Sequence, residues 1–361
     1  MDSLLLYYTA FGCSSVITSF SKDIIKSKWL KYSLAVLLPV LISTLRYGIG
    51  TDYFSYSYFY DEVASGNIKT NMEPLFTALN YLSFLIFNRY RGVLFLSSLL
   101  VSTLVYLSVS KALSGWKSAL SIWIFYCVYF SASLNVMRQI IALSLVVYAL
   151  VNLKSGEILK YLLLVLLAAL FHVSALVAFS FLIIYYLSKS KRGINIYLLS
   201  NGILSAAFAL FGGKVLSLLP AFIKVKYEKY FTNPMGRVVD LKFIADVFPT
   251  LVLACVPAIF YLLYVKNKEN NAVFFLVSLL TVPMLMLGYS FSYFQRLIYY
   301  FDFTYMLTFP IICGSMAKNR HAYPLFICFI LFFGFYFWYS SYYLGGNEIF
   351  PYVSVGVLEV L

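Results

Sequence analysis

The chain has 361 residues, 62% of them hydrophobic and 11% charged, with a mean hydropathy of +0.86. Soluble domains are about half apolar and about a quarter charged, so a soluble fold of this length is excluded and an all-α polytopic membrane protein is predicted. The net charge of +13 is scattered between apolar runs, as membrane topology requires; it forms no basic stripe, which excludes nucleic acid as a partner.

A crossing needs roughly 17–25 apolar residues, and inside lipid every backbone amide must be satisfied, which favours helices. About twelve transmembrane helices are predicted, near 3–20, 29–46, 91–110, 118–132, 138–153, 158–172, 173–188, 194–212, 243–265, 272–289, 297–316 and 323–341. The opening MDSLLLYYTAFGCSS lacks the positive start of a secretory signal, so its apolar run is read as a retained span. The run LFTALNYLSFLIF at 75–87 is too short to cross and is read as a half-helix in the outer interface. The chain is read as a single transmembrane domain, 1–361. Its outer loop at 47–90 carries the half-helix, and a second, long outer loop lies at 213–242.

With the N-terminus outside, 15 of the 27 lysines and arginines fall in six short inner loops, the arrangement that the positive-inside rule prefers. The outward hairpins 118–153 and 158–188 are tight, so their turns are expected to sit recessed, with Arg138 at one and His172 at the other. The five cysteines lie in apolar segments, and their spacing suggests neither disulfides nor a metal site. The basic loop at 213–242 reads either as a helix resting on anionic headgroups or as a lid over a glycan.

Four outward stretches carry polar residues where apolar ones are expected. RYGIGTDYFSYSYFY holds Arg46 and Asp52, and NMEPLF holds Glu73. SLNVMRQIIA holds Asn135, Arg138 and Gln139, and ALFHVSAL holds His172. YSFSYFQRLIYYFD holds Gln295, Arg296, Tyr299 and Tyr300. Each has a plain structural reading. Arg46 could snorkel to lipid phosphate, Asp52 could cap a helix starting near Tyr53, and Glu73 before Pro74 could cap the half-helix. A lone histidine such as His172 is usually structural.

Together they point elsewhere. Arginine at membrane depth costs roughly 2.5–3.5 kcal/mol on insertion scales and normally faces a functional cavity. Arginine forks suit phosphate, so Arg46, Arg138 and Arg296 suit a diphosphate. Aromatic rings supply flat apolar faces with a polar tip, so Tyr53, Tyr56 and Tyr60 suit sugars. No P-loop, dinucleotide fingerprint or metal cluster is found.

RYGIGTDYFSY at 46–56, EPLFTALNYL at 73–82, NVMRQIIALSL at 135–145, LAALFHVSAL at 167–176, QRLIYYF at 295–301 and PY at 351–352 occur in the order of the EpsG-like, Wzy-type bacterial polysaccharide polymerases, which this chain resembles. At 73–76 the family more often has EPGF. The resemblance implies a GT-C-like fold and a glycosyltransferase of the bacterial cytoplasmic membrane with its active site on the outer, periplasmic side. Such an enzyme moves an undecaprenyl-diphosphate-linked glycan onto the non-reducing end of an incoming lipid-linked repeat unit. It implies no cofactor and no metal. Expected partners are undecaprenyl-diphosphate-linked oligosaccharides and the lipid bilayer, with a chain-length regulator as a candidate.

Under that resemblance, Arg138 and Arg296 are expected to hold the diphosphate, with Arg46 as a third contact and Gln139 and Gln295 orienting them. Tyr299 and Tyr300 join the three loop tyrosines at the glycan. Asp52, His172 and Glu73, in that order, are the candidate general bases. Two rivals would use similar residues: a flippase or transporter of lipid-linked oligosaccharide, and a membrane acyltransferase with His172 as base.

Overall fold

The computed structural model describes residues 2–21, 24–69, 71–215, 251–257, 259–260, 271–290, 295–316 and 322–355. Among the described residues all regular structure is helical, apart from one isolated antiparallel bridge between Arg46 and Ser354. They group into two compact units: 1–152, 158–176 and 309–361 form the first, and 153–157 and 177–308 the second.

In the first unit α1 (Asp2–Ser19) packs on α2 (Lys28–Leu45) and α6 (Trp116–Asn135), and α2 packs on α5 (Arg91–Ala112). Tyr7 is fully buried; its ring meets Phe11, Phe130 and Phe337, and its hydroxyl donates to the Ile349 carbonyl at 3.1 Å. Ser27 starts α2 by accepting from Leu30 N–H at 3.2 Å, the ordinary capping bond of a serine. Beyond α2, the chain turns through Gly48 and Gly50 into α3 (Tyr53–Ala64), which packs on α4 (Pro74–Phe87).

Pro74 opens α4, where its missing N–H costs nothing. Asn88, at φ 50°, closes the helix in the left-handed region, and the chain folds straight back into α5. Then follow α6, α7 (Met137–Lys154) and α8 (Ile158–Ala169), and the helix after α8 tightens into a 3-10 turn at Val173–Phe179.

In the second unit α9 (Ser180–Leu187) packs on α11 (Ala272–Leu279), and α10 (Lys191–Val215) packs on α12 (Thr281–Ser290). Tyr197 of α10 donates to the Leu276 carbonyl at 2.6 Å. The next helix, α13 (Gln295–Asp302), packs on α12. α14 (Tyr305–Met316) begins in the second unit and ends in the first, where α15 (Ala322–Phe337) packs on α6.

Seven described helices are long and apolar enough to cross a membrane: Lys28–Leu45, Arg91–Ala112, Trp116–Asn135, Met137–Lys154, Lys191–Phe211, Arg296–Met316 and Tyr323–Tyr343. They coincide with seven of the expected spans, and α1 with an eighth. The expected spans at 158–172, 173–188 and 272–289 are shorter, as Ile158–Ala169, Val173–Leu187 and Ala272–Gly288. Most of the span expected at 243–265, and the long loop from 216 onward, lie outside the described residues. The half-helix expected at 75–87 is α4, 14 residues long.

Candidate active site

The site is built around a break between two helices. α6 ends at Asn135, Val136 sits at φ −83° and ψ 53°, and α7 restarts at Met137. Arg138 therefore lies in the first turn of α7. Its Nη1 donates to Glu73 Oε2, and the two side chains keep 26% and 19% of their surface open, enough for both to meet a ligand. Glu73 stands at the capping position of α4 but makes no side-chain capping bond; its carboxylate goes to Arg138 instead. This corrects the capping expectation: a carboxylate gains more from a guanidinium fork than from one amide.

The Arg138 guanidinium and its backbone N–H both face the Tyr56 hydroxyl. Arginine has no acceptor, so the tyrosine oxygen accepts and keeps its own proton to give. Burial pushes the Tyr56 hydroxyl up in pKa, and the Arg138 charge pulls it back. Asp52 is near enough for its charge to act on Tyr56 as well. Asp52 precedes the first residue of α3, as expected of a cap, yet its side chain makes no capping bond. Its N–H donates to Asn135 Oδ1 at 3.4 Å, and Thr51 Oγ1 donates to the same oxygen at 3.2 Å.

Gly50 allows this approach. It sits at φ +96°, and a Cβ there would lie 2.6 Å from Asn135 Oδ1 and 3.2 Å from the Leu134 carbonyl. The glycine is therefore fixed both by backbone conformation and by space.

His172 follows a tie between α8 and α4. Leu75 N–H donates to the Leu170 carbonyl at 3.1 Å, which stitches the start of α4 to the end of α8. His172 Nδ1 is engaged with Ser174 Oγ at 2.5 Å.

Several expected ligands take other places. Arg46 has no exposed surface. Its Nη1 donates to the Leu134 carbonyl at 2.7 Å, its Nη2 reaches Met137 Sδ at 3.6 Å, and its guanidinium lies 5.8 Å from the Tyr53 ring centre. It has no surface left for a phosphate. Tyr53, Tyr56 and Tyr60 are each 5% exposed, so they offer no open face to a sugar. Tyr53 packs edge-on to Tyr90, Tyr56 to Phe76, and Tyr60 tilts against Tyr90. The open rings on this stretch belong to Tyr47, Phe54 and Tyr58, at 55%, 63% and 59%. Gln139 is buried within α7.

Gln295, Arg296, Tyr299 and Tyr300 all lie on α13 of the second unit. Arg296 is exposed there, while Tyr300 is buried at 1%. Among the described residues no group of three or more His, Cys, Asp or Glu comes together.

Apart from its PY pair, one part of the site escaped the sequence reading, the chain from Gly345 to Val355. Asn135 Nδ2 donates to the Asn347 carbonyl at 3.0 Å, Asn347 Nδ2 to Ser131 Oγ at 3.2 Å, and Gly50 N–H to the Glu348 carbonyl at 3.3 Å. Tyr47 N–H and the Val353 carbonyl close the strap at 3.0 Å. Its signal was the GGNE turn, where Gly345 and Asn347 both take positive φ. Tyr352, of the PY pair, donates to the Ile42 carbonyl at 2.9 Å.

No curated protein and no solved structure matches the chain. The family model that does match, described as the EpsG family, spans residues 29–354, a range that holds Arg46, Asp52, Glu73, Arg138, His172 and Arg296; the chain belongs to the EpsG family.

Proposed function

We propose that this membrane protein of the polysaccharide-polymerase type joins lipid-linked repeat units. It would transfer an undecaprenyl-diphosphate-linked glycan onto the non-reducing-end sugar of an incoming unit, on the outer face of a bacterial cytoplasmic membrane. A GT-C-like fold and metal-free chemistry belong to the same reading. The observation that carries it is the cluster in which Arg138, paired with Glu73, shares Tyr56 with Asp52.

The chemistry follows from those groups. The acceptor hydroxyl attacks the anomeric carbon, the bond from that carbon to the diphosphate breaks, and a proton leaves the hydroxyl. Asp52 receives the proton, with its backbone held by Asn135. Arg138, aimed by Glu73, meets the negative charge on the departing diphosphate, and Tyr56 adds a donor. A placed donor of this kind commonly contributes roughly 2.7–4 kcal/mol to the barrier. In this account His172 positions the turn after α8.

A groove of about 470 Å3 in the first unit supports the lipid half of the reading. It begins at Leu75, two residues from Glu73, and runs along Leu79, Leu82, Leu96 and Leu99 beside Phe171. Apolar walls that start two residues from Glu73, the partner of Arg138, suit a polyprenyl tail.

The test is purified protein in lipid nanodiscs, given lipid-linked repeat units. Products two units long and longer support the reading; intact single units after long incubation overturn it. A deletion strain separates the flippase rival, which predicts repeat units trapped on the inner face rather than single units displayed outside.

A further inference from the structure

The break between α6 and α7 is a lost hydrogen bond rebuilt from outside. In an unbroken helix Arg138 N–H would donate to the Leu134 carbonyl, four residues back. Val136 takes the chain out of register. The Leu134 carbonyl instead accepts from Arg46 Nη1 at 2.7 Å, and Arg138 N–H turns to the Tyr56 hydroxyl oxygen. Both substitutes come from the single stretch 46–56. Arg46 Nη2 also reaches Met137 Sδ, so one guanidinium holds residues on both sides of Val136.

A fully buried cation is costly unless it is well partnered. Among the described residues Arg46 pairs with no carboxylate, and its Nε has no hydrogen-bond partner. Its partners are a carbonyl, a thioether and an aromatic face. A neutral side chain could fill the same volume, but only a long, planar donor fork can reach Leu134 and Met137 together.

We propose that Arg46 is a positioning residue for Arg138: by capping the freed Leu134 carbonyl it sets the first turn of α7 and so directs the Arg138 guanidinium at Glu73. The step from geometry to catalysis rests on the reading of Arg138 as a diphosphate ligand. Arg46 itself touches no substrate.

The experiment uses the full chain in nanodiscs, as wild type, Arg46→Gln, Arg46→Lys, Arg138→Lys and the Arg46→Gln/Arg138→Lys double variant. Hydrogen exchange is followed over 131–141 and over α5, with turnover on lipid-linked repeat units. Arg46→Gln is expected to speed exchange across 131–141 at least tenfold and leave α5 unchanged. Turnover should fall at least tenfold, with less than threefold further loss when Arg138 is already lysine, because the two residues act through one group. Arg46→Lys, which keeps one donor for Leu134, should recover part of both.

Unchanged exchange over 131–141, or losses that multiply in the double variant, would overturn the proposal. If wild type joins no units, the polymerase reading falls. The exchange measurement then decides the positioning claim alone: local loosening supports it and unchanged exchange overturns it. Should Arg46→Gln fail to fold, Met137→Leu removes the sulfur contact while keeping the cation. About threefold faster local exchange is expected there, and no change counts against the proposal.

Discussion

The guanidinium of Arg138 and the carboxylate of Glu73 form an ion pair between the first turn of α7 and the residue that precedes α4. It joins two stretches 65 residues apart and fixes the direction of the cation on which the proposed chemistry depends. Arg138→Lys keeps the charge but loses the fork. Turnover is expected to fall about 100- to 1,000-fold, the usual loss for one transition-state donor, at wild-type protein level. Glycan chain length in cells, measured on gels beside membrane protein content, checks this.

Glu73→Gln removes the charge and keeps the shape. Arg138 then loses its ionic partner but retains Tyr56. A smaller loss is expected, about tenfold in turnover, with little change in melting temperature. Steady-state kinetics and a thermal-unfolding scan of the same preparation separate the two effects.

Asp52 and His172 divide differently. Asp52→Asn leaves the backbone bond to Asn135 in place but removes the proton acceptor, so turnover should fall about 100- to 10,000-fold. His172→Ala loses the Ser174 contact and should keep turnover within about tenfold of wild type. The reverse order of effects would make His172 the base.

Gly50→Ala places a Cβ against Asn135 Oδ1 and the Leu134 carbonyl at positive φ. Strain of this kind costs roughly 1–3 kcal/mol. A lower melting temperature is expected, together with lost turnover, because the same residue seats the Asp52 loop.

The rings of α3 give a paired prediction. Phe54→Ala or Tyr58→Ala, on the open face, should raise KM for the lipid-linked glycan and leave kcat and stability near wild type. Tyr53→Ala or Tyr60→Ala should lower the melting temperature, since deleting a buried aromatic ring costs roughly 3–5 kcal/mol.

This division was readable in the sequence. Positions 53, 56 and 60 recur at i, i+3 and i+7, the spacing of one buried helix face, whereas 54 and 58 stand apart from it. Reading the tyrosines by chemistry rather than by period picked out the three rings that the helix buries. Arg138, Glu73 and Asp52 were legible because charges stand out among apolar residues. The fate of Arg46 was not legible, since its partners are a backbone carbonyl 88 residues away and a methionine sulfur. Neither carries a sequence signal. The Asn135 to Asn347 bond spans 212 residues, and no local pattern announces it. Short spans such as α8 followed by a 3-10 turn were misjudged in length, because hydropathy does not register the break in the helix at Leu170–His172.

The most direct measurement takes purified wild type and Arg138→Lys, each in nanodiscs, with lipid-linked repeat units as the sole substrate. Products are resolved by chain length. The account predicts a ladder of two units and more from wild type, with release of undecaprenyl diphosphate for each bond formed, and at least 100-fold slower growth from Arg138→Lys. Single units left intact by wild type, or equal ladders from both proteins, would contradict it.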